Sequence, residues 1–262
     1  MSIMTRLRGS CLLITFAVAT AAAQTKDARQ EVHGYLSRQG FDAAALAMLE
    51  SGNVVARAEL GAKDDREIGV VAAVRIGVAR PQVTSYYGQI ISYVDGEVLL
   101  AFGRFGRPPA PADVGSLALD AGEVRELRSC RPGKCDLRLG GAAIERLRTS
   151  IDWSAPDHVD RVNAFVRQSA LDYMAAYQSQ GDAALVTYND RADPVRLQDQ
   201  WRGILANSPL FHEYAPELRA YLEGFPATTL PGSRDIFYWA RENFGLAPVV
   251  SFVHVSPPSI DL

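Results

Sequence analysis

This sequence predicts an α+β fold: an antiparallel sheet made from two hairpins, with a large, mostly helical segment between them. Three observations lead there. β-Branched residues dominate 53–60 and again 66–78; apolar residues recur at three- and four-residue steps from Val159 to Tyr177; and two aromatic or β-branched runs, 236–239 and 249–255, flank Asn243 and Gly245. Such runs broken by turn formers read as paired strands, whereas a 3.6-residue period reads as an amphipathic helix.

The first element is a leader. Arg6 and Arg8 precede the apolar run Cys11–Ala19, which gives way to Ala21-Ala22-Ala23 before Gln24. Basic residues, a short apolar stretch and a small-residue site make the pattern of a secretory signal peptide, and the apolar stretch falls short of the roughly 20 residues a membrane anchor needs. A lipidated cysteine would follow the apolar run, and Cys11 precedes it. We therefore expect residues 1–23 to be a signal peptide and 24–262 to be a single mature α+β domain, periplasmic or secreted, with a helical insert at about 107–230. Cleavage removes two Arg and no acid, so the formal net charge moves from -3 to -5. With 27 basic and 30 acidic residues in the whole chain, no cationic surplus argues for nucleic acid, and no later stretch is long and apolar enough to span a membrane.

Val32, Leu36, Leu46 and Leu49, among many Ala, predict one or two short helices over 27–50, interrupted at Gly40. The two β-branched runs that follow predict a hairpin turning at Lys63-Asp64-Asp65. Pro81 opens a predicted helix with Val83, Tyr86, Tyr87, Ile90, Ile91 and Val94 on one face, ending near Gly96. Arg107-Pro108-Pro109-Ala110-Pro111 is a stiff connector, since proline lacks the amide that helix and sheet ladders use.

Cys130 and Cys135 flank Arg131-Pro132-Gly133-Lys134. Pro presets φ for one turn position and Gly supplies positive φ for the next, so the chain reverses and brings the two thiols to bridging distance. In an exported chain this predicts a structural Cys130–Cys135 disulfide worth roughly 2 kcal/mol in the chain-entropy model. The alternatives are a redox dithiol, whose usual spacing is two residues rather than four, and zinc, for which a third Cys or nearby His is missing.

A short helix is expected at 142–148. Ser154-Ala155-Pro156-Asp157 has capping-box form and predicts a long helix from there to Gly181, with Val159, Val162, Val166, Tyr173 and Tyr177 on its inner face. Further helices are expected from Asp193-Pro194, carrying Leu197, Trp201, Ile204 and Leu205, and over 217–223. The last two runs predict a second hairpin, with a helix over 233–244 as the alternative for its first half.

Residues 52–93 carry a strand pair, 53–57 with 68–75, followed by a helix opening at Ala79-Arg80-Pro81. This stretch resembles the start of the START-related helix-grip family, which includes polyketide cyclase-like proteins. The resemblance implies a curved antiparallel sheet gripping a long carboxy-terminal helix, with an apolar ligand held between them. The chain departs from that pattern in its helical 107–230 segment and in having no long helix after His254, so the fold expected is an incomplete helix-grip. Ser129–Asp136 also resembles a segment shared by a set of uncharacterised bacterial exported proteins, some of which run further. A carboxy terminus shorter than that of such relatives is therefore one expectation.

The chemistry on offer is sparse. The histidines, at 33, 158, 212 and 254, are dispersed without metal-ligand spacing, and no GxSxG, P-loop or strand-associated GxGxxG is present. Neither a metal nor a cofactor is expected, and no catalytic residue is assigned. Glu123 and Glu126 interleave with Arg125 and Arg128, which reads as a solvated helix face. Alternation groups His254 with Phe252 and Ser256, opposite Val253 and Val255. If the valines face the core, His254 faces solvent or a cleft.

Two functional classes follow. The first is non-enzymatic binding of a small apolar or lipid-like ligand, with Tyr238, Trp239, Phe252 and His254 as the contact residues. The second is an exported hydrolase with an unrecognised nucleophile and His254 as base. A structural or protein-interaction role is what a packed interior with neither feature would indicate.

Overall fold

The computed structural model describes residues 25–58, 69–78, 82, 98–135, 137–243, 245 and 248–256. The expected leader, the turn of the first hairpin and the helix expected to open at Pro81 fall outside these residues, Gln82 alone of that helix being described. The chain divides by its contacts into two compact units, Met1–Gln89 and Ile90–Leu262. Together the described residues form an α+β protein with eight α-helices and antiparallel sheets.

The first unit carries α1 (Thr25–Arg38), α2 (Ala43–Glu50) and the strands β1 (Val55–Ala58) and β2 (Val70–Ala73). Asp42 caps α2 by accepting from the Ala45 amide at 2.8 Å, which meets one of the donors a helix start leaves unpaired. β1 and β2 pair antiparallel, Val55 opposite Ala73 and Ala58 opposite Val70, as the first hairpin requires. Leu36, Phe41, Leu49 and Val55 form the core of this unit.

The second unit is organised by one long helix and one three-stranded sheet. Its elements are β3 (Leu99–Phe105), α3 (Ala121–Ser129), α4 (Gly141–Ser150), α5 (His158–Gln180), β4 (Thr187–Tyr188), β5 (Val195–Arg196), α6 (Leu197–Asn207), α7 (Pro209–Glu213), α8 (Pro216–Gly224), β6 (Ile236–Asn243) and β7 (Pro248–Val255). The sheet order is β3-β6-β7, antiparallel throughout. The predicted second hairpin therefore forms, with Pro248 at its strand start opposite Asn243, and extended structure prevails over the helical alternative.

Phe105, Phe237 and Trp239 project from one sheet face onto Ala170, Leu171 and Met174 of α5 and onto Tyr221 and Phe225 around α8. Trp239 is fully buried, and its indole N–H donates to the Asp113 carbonyl at 2.9 Å, which removes the cost of an unpaired buried donor. Gly103 lies opposite Trp239 in the register. A Cβ there would collide with the indole and with the Asp113 carbonyl, so the sheet approaches this closely only because residue 103 has no side chain. A second cluster joins α3, α4 and the first turns of α5 through Val124, Leu127, Ile144, Leu147 and Val162. Cys130 and Cys135 are buried within it and form a disulfide, S–S 2.10 Å.

α5 also holds loops by polar side chains. Asn163 bonds both backbone groups of Leu119, the Arg167 guanidinium donates to the Leu117 carbonyl, and Gln178 donates to the Gly106 carbonyl. The helix begins at His158 rather than at the predicted cap: the Ser154 amide and hydroxyl instead donate to Asp152 in a preceding turn. It ends as predicted at Gly181, where φ is 60° and a Cβ would collide with the Phe225 carbonyl. Asp193-Pro194 likewise does not open a helix directly. Val195 and Arg196 first pair with Tyr188 and Thr187, and α6 starts at Leu197.

β3 has no counterpart among the predicted strands, because Gly103 and Arg104 break its apolar run. Glu123 departs from the solvated face expected of it. Its side chain is 12% exposed and its Oε2 accepts from Arg241 Nη2 at 2.7 Å, while also closing a capping box with Asp120.

Candidate functional site

Strand parity decides what surrounds His254. In β7, Val250 and Phe252 pack against the core, so the side chain two residues on points inward too. This reverses the orientation that follows from placing the valines in the core. The His254 side chain is 7% exposed. Its ring stacks on Phe237, directly opposite in the β6–β7 register, with centroids 4.5 Å apart, and lies 4.7 Å from the Phe225 ring.

The polar atoms of the ring meet partners from three different places in the chain. Tyr177 of α5 places its hydroxyl 3.0 Å from Nδ1. Asp235, just before β6, places Oδ1 3.1 Å from Nε2, and Ser256, just after β7, places Oγ 2.9 Å from Nε2. Asp235 in turn accepts from the Ser256 hydroxyl at 2.9 Å, from the Tyr221 hydroxyl at 2.7 Å and from Arg107 Nη1 at 3.2 Å. The Arg107 guanidinium, half exposed, lies 5.5 Å from the centroids of both Phe225 and Phe237 and covers the outer side of the network.

The electrostatics follow from this packing. Burial disfavours the imidazolium and holds His254 below the usual histidine range, with Arg107 adding to the effect and Asp235 only partly opposing it. Burial alone would raise Asp235, but hydrogen bonds from Tyr221, His254 and Ser256 outweigh it and keep the carboxyl below its usual range. Burial and the Asp235 carboxylate push the Tyr221 phenol up to about 12, and burial raises Tyr177 as well. The Asp235–His254 contact is therefore a hydrogen bond from a neutral imidazole to a carboxylate. Nε2 carries the proton and Nδ1 accepts from Tyr177, the tautomer that satisfies every partner.

That tautomer decides the chemistry. A serine nucleophile needs an unprotonated histidine nitrogen facing its hydroxyl, with the orienting carboxylate on the other nitrogen. Here Asp235 and Ser256 share Nε2, the Ser256 hydroxyl donates to Asp235, and Nδ1 is occupied by a phenol. The arrangement ties β7 to α5, α8 and the approach to β6. It does not activate Ser256.

The four aromatic and histidine residues singled out from sequence do not share one surface. Trp239, Phe252 and His254 lie on the core face of the sheet, whereas Tyr238 lies on the opposite face, its ring 5.4 Å from that of Phe102. That opposite face is mixed: Arg104, Ser251 and Glu242 share it with apolar side chains. Phe102, Ile236, Tyr238, Val253 and Val255 are half-buried on it and Val249 is exposed. A separate open groove of about 260 Å³ runs between α4 and α5, where Arg146 lies 5.9 Å over the Phe165 ring.

The remaining histidines are held singly: His33 by Glu50, His158 by the Ala155 carbonyl, and His212 by the Ala206 carbonyl and Arg219. Among the described residues no three His, Cys, Asp or Glu side chains gather as a metal would need, and no helix is long and apolar enough to cross a membrane. Tyr177, Tyr221, Asp235 and Arg107 were legible from sequence only as a core aromatic, part of a short helix, a hairpin approach and a proline-rich connector. No motif connects them to His254. Comparison with protein-family models, with curated proteins and with solved structures finds no match to this chain.

Proposed function

We propose that the chain is an exported, non-enzymatic protein that binds a small apolar or lipid-like molecule on the outer face of the β3-β6-β7 sheet. The observation that carries this reading is an apolar strip on the outer face, where Ile236 pairs with Val255 and Tyr238 with Val253, beside Arg104, Ser251 and Glu242 on the same face. An antiparallel sheet with one face in water alternates apolar and polar residues. Here β6 and β7 place Ile236, Tyr238, Val253 and Val255 opposite the core-facing residues. Covering about 200 Å² of apolar surface contributes roughly 5 kcal/mol before the costs of association, enough for a weakly held ligand. The closed Tyr177–His254–Asp235 network supports a binding role over hydrolysis, because no nitrogen is left to accept the proton of a nucleophile. The buried disulfide fits an oxidising compartment, and the leader pattern supports export.

The test is titration of the full exported chain, disulfide intact, with the fluorescent fatty acid cis-parinaric acid. Tyr238→Ser and Val253→Thr should each weaken probe binding about tenfold, as expected for losing about 1.4 kcal/mol of apolar contact. Probe binding unaltered in both variants would overturn the assignment of this face. A wild-type chain that binds no probe but captures a protein partner through the same residues would replace the ligand with a protein interface.

A further inference from the structure

The network around His254 gathers side chains from five parts of the chain: α5 through Tyr177, α8 through Tyr221, the connector after β3 through Arg107, the approach to β6 through Asp235 and the end of β7 through Ser256. Phe225 and Phe237 complete its walls and offer no hydrogen-bond acceptor. We propose that the Tyr177–His254–Asp235 chain is an acid-sensitive latch that fastens the end of β7 to α5 and opens when His254 takes a second ring proton.

The stereochemistry makes the response abrupt. In the neutral state the Tyr177 hydroxyl donates to Nδ1 and the Nε2 proton goes to Asp235. A proton arriving at Nδ1 turns that acceptor into a donor, so Tyr177 must rotate its own proton away, toward the rings of Phe225 and Phe237, 5.4 and 6.3 Å from its centroid. A buried hydroxyl without an acceptor is costly. The Asp235 carboxylate already accepts from Tyr221, Ser256 and Arg107 besides His254 and lies at Nε2, so it attracts the new cation but gives the Nδ1 proton no acceptor, and Arg107 repels the charge. Asp182, the next acid along from Tyr177, is committed to Arg202 at 2.7 Å. Charging the imidazole is therefore relieved by separating β7 from α5 rather than by rearrangement in place.

The consequence for binding rests on the function proposed above. β7 carries Val253 and Val255 on its outer face and His254 on its inner one, so a strand released on one side loses its shape on the other. Acidification should then discharge the apolar molecule.

Hydrogen exchange on the full chain, corrected for intrinsic rates, tests the latch without any ligand. Between about pH 7.5 and about pH 5, β7 amides should lose at least about tenfold in protection relative to those of α4, which belongs to the other core cluster. His254→Gln, whose amide can still accept from Tyr177 and donate to Asp235 but does not titrate, should abolish the difference. Should that variant fail to fold, the wild-type His254 ring signal in NMR serves instead: its midpoint should lie below 6.5 and coincide with the loosening of β7. Equal loss of protection in His254→Gln, or a midpoint at or above 6.5, overturns the latch. Loosening of β7 in a chain that binds no cis-parinaric acid at any pH retains the latch and removes the binding reading. Probe binding that persists with β7 closed at about pH 5 does the reverse.

Discussion

The pair Glu123–Arg241 offers the sharpest test of how the two clusters of the second unit are joined. Arg241 projects from the core side of β6 and Glu123 from the first turn of α3, with side chains 14% and 12% exposed and a 2.7 Å contact. The Arg241 Nε is buried without a partner, so this guanidinium depends on Glu123 and, more distantly, on Asp120 at 3.7 Å. Removing one member of a buried pair costs about 3–5 kcal/mol. Partial exposure and the remaining Asp120 carboxylate reduce that to about 2–3 kcal/mol for Glu123→Gln, which keeps the capping acceptor and removes only the charge. For a unit of this size the loss corresponds to a Tm about 4–12 °C lower. Urea denaturation followed by tryptophan fluorescence, on Glu123→Gln, Arg241→Met and the double variant, isolates the coupling, expected to exceed about 1 kcal/mol. Asp120→Ala, which loses the cap and leaves the pair, should cost only about 1 kcal/mol. Additivity of the two single variants to within about 0.3 kcal/mol would refute the argument that this ion pair fastens α3 to the sheet.

Other expectations are simpler. Gly103→Ala should destabilise by at least about 3 kcal/mol or prevent folding, since its Cβ meets backbone and indole rather than a movable chain end; a Tm within about 2 °C of wild type would contradict the close approach at Trp239. Thermal stability should fall in two stages on acidification. His254, held below its unfolded value of 6.5, contributes stability that is fully present above that pH and declines below it. Asp235, held below 3.8, contributes stability that is lost only as the pH falls further, through its folded-state value. A Tm profile flat from neutrality to about pH 4.5 would contradict the first stage. Reduction of Cys130–Cys135 should cost about 2 kcal/mol without unfolding the second unit, because the loop it closes is short; loss of all tryptophan burial on reduction would show a larger role.

Local signals were legible where the physics is local. The Pro-Gly turn between the cysteines, the terminator at Gly181 and the hairpin around Asn243 and Gly245 depend on backbone preferences within a few residues, and each element stands where those preferences place it. Boundaries slipped where a neighbour competed for the same groups. Asp152 took the Ser154 amide and hydroxyl that would have begun the long helix three residues earlier, and pairing with Thr187–Tyr188 held Val195–Arg196 out of α6. β3 was not legible at all, because a seven-residue strand containing Gly103 and Arg104 owes its form to the partner it pairs with.

The same division holds for the site. Sequence alone determined that His254 shares a strand face with Phe252 and Ser256, since alternation is a property of the extended backbone itself. It could not determine which face meets the core, because β7 is apolar on both sides and parity carries no direction. Tertiary packing made that choice by setting Phe237 and Trp239 of β6 against α5. With it came the partners of His254, drawn from positions as distant as Tyr177, 77 residues away. Such contacts are written in no local pattern, since they arise only once the sheet and the long helix close on one another.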